Sequence, residues 1–261
     1  MSGEIIGLHQ WFATPPGRYL LAWEQERYDE LVADIFGYHA LQLGMPGLAC
    51  LRANRMPHRW LALGADEAQL LQQVAPGDAE AMAPALLAEA VALPFAEASL
   101  DLVALPHTLE LSVDPHAALR EVYRVLVPEG RAVISGLNPY SLWGLRQGRA
   151  RLYQRLGGGG RPYLPDVGEF LSPGRLRDWL RLLGFELETI SFGCYRPAAT
   201  SERWLQRNAW MEALGARWWP ILGAGYVIVA AKRVQGMRLL EPSWRKAPRA
   251  AGAQVQVARR H

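Results

Sequence analysis

Hydrophobic and polar positions along this chain switch between two periods, one typical of strands and one typical of helices. Short apolar runs lie at 38–43, 60–63, 86–92, 100–105 and 131–137, and each has the length of a buried strand. Between and before them, apolar residues recur every three or four positions, which predicts helices at 18–36, 47–55, 66–74 and 115–127. Strands that alternate with helices in this way favour a parallel sheet with helices on both faces.

The helix predicted at 115–127 has signals at both ends. Asp114 is a suitable N-cap, and Pro115 fits the first helical position, where its missing N–H group costs nothing. The segment from Pro128 to Gly130 ends the helix. One apolar stripe is formed by Ala118, Leu119, Val122, Val125 and Leu126, and we expect the helix to pack on the sheet through it.

The second half of the chain departs from the simple alternation. Ser172 and Pro173 begin a helix that Gly184 ends, and strands are predicted at 185–193 and 225–233. No crossover helix of the βαβ type joins these strands, which predicts an antiparallel pair at the edge of the sheet. The segment 201–219 between them has the pattern of an amphipathic helix. Its tryptophans and arginines fit either a weak contact with a membrane surface or a cover over the open end of the sheet.

Composition places the chain in a broad class. Half of its 261 residues are hydrophobic and a fifth are charged, which is typical of a folded globular protein. The first residues lack the pattern of a signal peptide, and no stretch approaches the roughly 18 apolar residues of a membrane span. Cys50 and Cys194 do not suggest a disulfide framework, and the six histidines show no metal-ligand spacing. We therefore expect a cytoplasmic protein without a metal site.

The net charge of +3 is unevenly distributed along the chain. Eight basic residues and one acidic residue lie between Lys232 and His261, so that this segment carries +7 and the remainder carries −4. A segment of this kind either attaches to nucleic acid or anionic lipid, or is a solvated terminus. We expect the second, with residues 234–261 forming a basic, poorly ordered tail and no nucleic-acid partner.

A long stretch in the middle of the chain resembles a known family. The run LPFAEASLDLVALPHTLELSVDPHAALREVYRVLVPEGRAVISGLNP at 93–139 is similar to the middle of class I S-adenosylmethionine-dependent methyltransferases of the small-molecule type. The later segments RLRDWLRLLGFELE and GYVIVAAKR resemble that family's last helix and its antiparallel strand. The resemblance covers roughly residues 38–233. It implies an α/β fold, a Rossmann-like seven-stranded sheet with helices on both faces and an antiparallel last strand beside strand five.

The resemblance also divides the chain. Residues 1–37 become an N-terminal helical cap on the methyltransferase-like domain at 38–233. Two insertions interrupt that domain, at 140–170 and 194–222, and we expect them to help form the substrate pocket.

The cofactor implied by the resemblance is S-adenosylmethionine. The family's first glycine motif falls on Leu41 to Leu48, where Gly44 takes the first glycine while Pro46 and Leu48 replace the other two. Gln42 lies where the family has an acid that contacts the ammonium group of the cofactor. The cofactor contacts implied in this way are Gln42, Gly44, Met45, Asp66, Glu89, Ala90, Phe95 and Leu105.

Two acids are candidates for the family's ribose contact. Asp66 and Glu67 both follow the second strand at the required distance, and Asp66 is the better match. The alternative is that they begin a helix, where a negative charge favours the helix dipole. Glu89 occupies the place of the acid that receives the adenine amino group, and its alternative is an exposed charge at the end of a strand.

His107 is the candidate catalytic residue. It follows strand four, and in the family this position lies near the transferred methyl group. A histidine there could act as the general base for a hydroxyl or amine acceptor. Alternatively, it packs against the cofactor or caps a helix, since methyl transfer often needs little beyond alignment of donor and acceptor.

Two functional hypotheses follow from these residues. The first is a methyltransferase that acts on an unidentified small molecule. The second is a methyltransferase-like binding or scaffold protein without activity, because Pro46 and Leu48 remove the backbone freedom and the space that glycines give a cofactor loop. Titration with the cofactor distinguishes the two.

Overall fold

The computed structural model describes residues 8–65, 67–69, 83–157, 162–165 and 170–233. Within this part of the chain the helices are α1 (Leu8–Phe12), α2 (Pro15–Ala33), α3 (Thr108–Leu111), α4 (Pro115–Val125), α5 (Leu142–Arg155), α6 (Pro173–Leu183), α7 (Glu202–Arg207) and α8 (Trp210–Trp218). The strands are β1 (His39–Leu43), β2 (His58–Leu63), β3 (Leu86–Leu87), β4 (Leu100–Pro106), β5 (Leu126–Leu137), β6 (Phe185–Gly193) and β7 (Gly225–Lys232).

The strands form one seven-stranded sheet in the order β3-β2-β1-β4-β5-β7-β6. Strands β1 to β5 run parallel to one another, whereas β7 is antiparallel to both β5 and β6. The predicted sheet, its antiparallel last strand and the place of that strand beside β5 are confirmed. Because β1 to β4 run in one direction, their carboxyl ends meet along one edge of the sheet.

The helix ends follow the capping residues of the sequence. Asp114 accepts a hydrogen bond from the backbone N–H of Ala117 at 2.9 Å, and α4 begins directly after it. Ser172 caps α6 in the same way, accepting from the N–H of Arg175 at 3.3 Å. At the other end of α6, Gly184 has a φ of +93°, a left-handed conformation that glycine adopts without strain.

Two hydrophobic cores lie on opposite faces of the sheet. In β4, Leu102 and Ala104 face the core covered by α2, while Val103 and Leu105 face the core covered by α4 and α6. This division follows from the alternation of side chains along a strand. All five members of the predicted α4 stripe are fully buried in the second core.

Three predicted elements differ from the structure. Residues 47–55 form turns and bends instead of a helix, and the strand expected at 86–92 is limited to Leu86–Leu87. The segment 201–219 forms two helices, because Asn208 ends α7 and its side chain donates to the carbonyl of Trp204 at 2.8 Å.

Some predicted features lie outside the described residues. These are Asp66, most of the helix predicted at 66–74, and the tail at 234–261. Within the described residues, no helix is both long enough and apolar enough to cross a membrane.

Candidate functional site

The edge formed by the carboxyl ends of β1 to β4 collects most of the predicted site residues. Gly44 follows β1, Glu67 lies four residues after β2, Glu89 follows β3 and His107 follows β4. In open α/β sheets this edge is where ligands bind. The structure places these residues along that edge, as the sequence predicts, and shows what their side chains contact there.

The loop after β1 differs from the expected strand–turn–helix. Its backbone groups are paired by amide side chains instead of by a helical ladder. Gln25 of α2 both accepts from the N–H of Ala49 at 3.1 Å and donates to its carbonyl at 3.0 Å. Asn54 donates to the carbonyls of Val32 and Ile35 at the end of α2. The prediction of a helix at 47–55 is therefore wrong, because hydrogen bonds between amide side chains and the backbone favour turns in this segment.

The Gln42 side chain forms hydrogen bonds with the backbone of the same loop. Its side chain is buried, and its Nε2 group lies 3.1, 3.0 and 2.7 Å from the carbonyl oxygens of Gly44, Met45 and Leu48. Its Oε1 atom accepts from the N–H of Cys50 at 3.0 Å. An amide suits this place because it donates and accepts at once, whereas a carboxylate only accepts. The Gln42 side chain is therefore committed to the loop itself.

The side chains of Met45 and Leu48 are buried. Both are 2% exposed or less and belong to the core on the α2 face of the sheet. Gly44 has a φ of +77° and Met45 a φ of +49°, so that the chain turns sharply at the end of β1. The loop is thus packed into the core on the α2 face through Met45 and Leu48, and Leu48 is one of the two positions where the family has a further glycine.

In the structure, Glu67 is the acid whose carboxylate contacts this turn. Its Oε1 atom accepts from the N–H of Met45 at 3.3 Å, and its Oε2 atom accepts from the N–H of Gly64 at 3.4 Å. A Cβ atom at Gly44 would lie 3.1 Å from this carboxylate, so that a side chain there would crowd it. Asp66, the better match by sequence, lies outside the described residues.

The remaining predicted cofactor contacts have varied surroundings. Glu89 is exposed, and its carboxylate lies 3.5 Å from the point where a side chain of Gly64 would begin. Ala90 is half-buried, and the half-buried ring of Phe95 packs on Trp60 with centroids 5.8 Å apart. Leu105 is fully buried in the core on the α4 face, so its side chain contacts other core residues.

His107 is the most enclosed of the candidates. Its ring is fully buried, with Nδ1 2.7 Å from Glu110 Oε2 and Nε2 2.9 Å from Glu24 Oε1. Phe12 covers it from α1, with ring centroids 5.2 Å apart. It is also the N-cap residue of α3, with a φ of +52°. Both ring nitrogens face carboxylates. The role of His107 as a general base stays a prediction.

The two carboxylates determine the charge of this histidine. Burial by itself lowers the pKa of His107, but the neighbouring Glu24 and Glu110 raise it to about 10. Burial raises the pKa of Glu110, against the lowering effect of His107. The Oε1 atom of Glu110 also accepts from the N–H of Leu137 at 2.7 Å, which ties the cluster to β5. At neutral pH we therefore infer an imidazolium held between buried acids.

Glu24 and Glu110 were not singled out by sequence reasoning. Glu24 offered a signal, because it lies on one stripe of α2 with Leu20 and Tyr28, four positions away on either side, and all three are fully buried. A charged residue on a buried stripe requires a partner of opposite charge. That partner is 83 residues away in sequence, which the helical pattern does not reveal.

Comparison with known proteins shows which family the chain belongs to. A family model described as a methyltransferase domain matches residues 41–134. A demethylmenaquinone methyltransferase from Thermus thermophilus is 33% identical over 169 residues, covering 59% of this chain and 76% of that protein. The uncharacterized protein YafS of Escherichia coli (strain K12) is 41% identical over 109 residues, covering 42% of each chain. The chain thus matches less than half the length of YafS.

A solved structure agrees with this assignment. The S-adenosylmethionine-dependent methyltransferase from Archaeoglobus fulgidus superposes with a TM-score of 0.52 at 17% identity, covering 81% of this chain and 94% of that one. At this level of identity, the likeness concerns the fold. Together with the sequence matches, it shows that the chain belongs to the class I S-adenosylmethionine-dependent methyltransferase family.

Proposed function

We propose that this protein transfers a methyl group from S-adenosylmethionine to a small molecule. The observation that carries the proposal is the pair of carboxylates at the edge of the sheet, Glu67 beside the Gly44 turn and Glu89 beside Gly64. They follow adjacent parallel strands, at the place where such sheets bind nucleotides. Carboxylate oxygens are acceptors of the kind that ribose hydroxyls and an adenine amino group require.

The residues present fit the adenosine half of the cofactor better than the methionine half. Gly44 keeps the space beside the Glu67 carboxylate open, which a side chain at this position would fill. At the methionine end, Gln42 is engaged with the carbonyls of its own loop and supplies no charge for an ammonium group. We therefore expect binding that is weaker than with a carboxylate at position 42, by roughly tenfold to a hundredfold.

The residues of the edge have separate roles in this proposal. When bound, S-adenosylmethionine would supply a methyl group on a positively charged sulfur. Glu67 binds the ribose, and Glu89 orients the adenine. Phe12 and Glu24 cover the end of β4 and keep water from His107. Alignment of donor and acceptor is the main requirement of this chemistry.

The acceptor class follows from one relative. The Thermus thermophilus protein is named for demethylmenaquinone, a small molecule, and 169 residues of this chain align with it. We propose a small organic acceptor for this chain too, and a demethylmenaquinone analogue is the first compound to assay.

Calorimetric titration with S-adenosylmethionine and with its demethylated product tests the proposal. We expect saturable binding of both, and we expect Glu67→Gln to weaken it by roughly tenfold or more, because one charge-assisted hydrogen bond is lost. Glu26→Gln is the matched control, since Glu26 is exposed on α2. Equal affinity in the Glu67 and Glu26 variants would show that Glu67 is not the ribose contact.

The loop favours a second candidate function, a binding protein that has lost methyl transfer. The specific observation is the inward packing of Met45 and Leu48 together with the commitment of Gln42 to its own loop. The same titration decides between the candidates. If a folded protein takes up neither ligand at roughly millimolar concentration, the enzyme proposal fails and the binding protein remains.

A further inference from the structure

Helix α5 exposes an apolar stripe to solvent. Leu145, Leu152 and Leu156 are 57% to 75% exposed and, together with Arg149, follow one another at helical spacing. The opposite face of the helix is buried through Trp143, Gln147 and Ala150. An amphipathic helix in a globular protein normally buries its apolar stripe, whereas this one buries one face and presents leucines on the other.

Helix α8 has the same arrangement. Trp210 and Trp218 are 59% and 69% exposed on one outward stripe. The inward side is fixed by Glu212, which accepts from the N–H of Cys194 at 2.9 Å, and by Gly215, which packs against Tyr195. Both indole rings therefore lie mostly in solvent.

The two stripes belong to one end of the molecule. Helix α5 follows the end of β5, and α8 precedes the start of β7, which pairs with that end. Between them, the Asn138 side chain donates to the carbonyls of Ile221 and Gly223 at 2.8 and 2.9 Å. Ile221 itself is 66% exposed, so the segment between α8 and β7 also presents an apolar side chain to solvent.

Charge decides what this surface fits. Helix α5 carries four arginines and no acidic residue, and all four are exposed. Arg149 lies within the leucine stripe and Arg155 next to it by helical spacing, whereas Arg146 and Arg151 lie over the rings of Tyr163 and Phe170. A second copy of the same face would bring these positive charges together, which is unfavourable. Tryptophan and arginine around an apolar stripe are typical of helices that lie in the interface of an anionic bilayer.

We propose that the leucine stripe of α5 and the tryptophan stripe of α8 form a docking surface for an anionic lipid bilayer. The apolar side chains enter the headgroup region, and the arginines contact lipid phosphates. Neither Glu67 nor Glu89 belongs to this surface, and the proposal does not depend on methyl transfer.

Vesicle co-sedimentation of the full chain tests the proposal. We expect binding to vesicles of equimolar phosphatidylglycerol and phosphatidylcholine, and much less to phosphatidylcholine alone. Neutralising two arginines, Arg149→Gln with Arg155→Gln, should weaken binding about thirtyfold, because each basic residue near such a surface contributes about 1 kcal/mol. The pair Trp210→Ala with Trp218→Ala should weaken it by roughly tenfold or more.

Matched controls lie on the other face of the sheet. Leu182→Ala on α6 removes an exposed apolar side chain and Arg120→Gln on α4 neutralises an exposed arginine, and we expect both to leave vesicle binding unchanged. Denaturation in urea checks that every variant folds.

Four outcomes would overturn the proposal. The first is failure of the full chain to prefer the anionic vesicles. The second is binding that persists in both double variants, which assigns it to another part of the chain. The third is an equal loss in the controls. The fourth is a dimer that dissociates in the tryptophan variant while vesicles remain unbound, which assigns the surface to a second copy.

Discussion

Replacing Gln42 by glutamate gives the loop the acid that the family has, and the structure predicts that this substitution destabilises the protein. The amide lies within 3.1 Å of three carbonyl oxygens and donates hydrogen bonds to them from a buried site. A carboxylate cannot donate, and it would place a negative charge against those oxygens. An uncompensated buried charge costs about 3–5 kcal/mol, and we expect a loss of this size at neutral pH.

The pH dependence of the loss identifies its cause. Burial raises the pKa of the introduced carboxyl group, so that protonation at about pH 5 restores one donor and removes the charge. Stability relative to the original protein should therefore recover as pH falls. Urea denaturation followed by circular dichroism at both pH values measures this change.

Gln206→Glu is the matched control for this substitution, because Gln206 is exposed on α7. We expect its effect to stay within about 0.5 kcal/mol. A loss below about 1 kcal/mol for Gln42→Glu, or a loss that does not change with pH, would refute the reasoning.

Two further predictions concern the histidine cluster and a helix cap. The folded-state pKa of His107 is about 10 against an ordinary 6.5, so its stabilisation is complete below about pH 6.5 and is lost as pH rises through 10. Urea midpoints should fall over this range, and a His107→Gln variant that keeps the same slope would contradict this origin. Asp114→Ala should cost about 1 kcal/mol, because the N–H of Ala117 loses its acceptor. An unchanged midpoint would show that the cap does not contribute, and Asp178→Ala on the exposed face of α6 is the control.

The sequence by itself determined the fold and the edge along which the candidate residues lie. Local signals sufficed for α4 and α6, because a cap residue, an apolar stripe and a terminal glycine act within a few positions of one another. The antiparallel strand β7 was also predictable, because no crossover helix of the βαβ type precedes it. Gly44, Glu67 and Glu89 lie at the expected edge because each follows a strand whose direction the fold fixes.

Only the tertiary structure decided what the side chains at that edge contact. The apolar spacing at 47–55 predicted a helix, but Gln25 of α2 bonds the backbone of Ala49. The Asn54 side chain in turn donates to the carbonyls of Val32 and Ile35. In the structure, Gln42 forms hydrogen bonds with its own loop, and His107 lies between Glu24 and Glu110. Periodicity reports which residues are buried, but not which buried polar groups meet. Those pairings depend on how α2 packs across the ends of the strands, and contacts between segments far apart in sequence fix that packing.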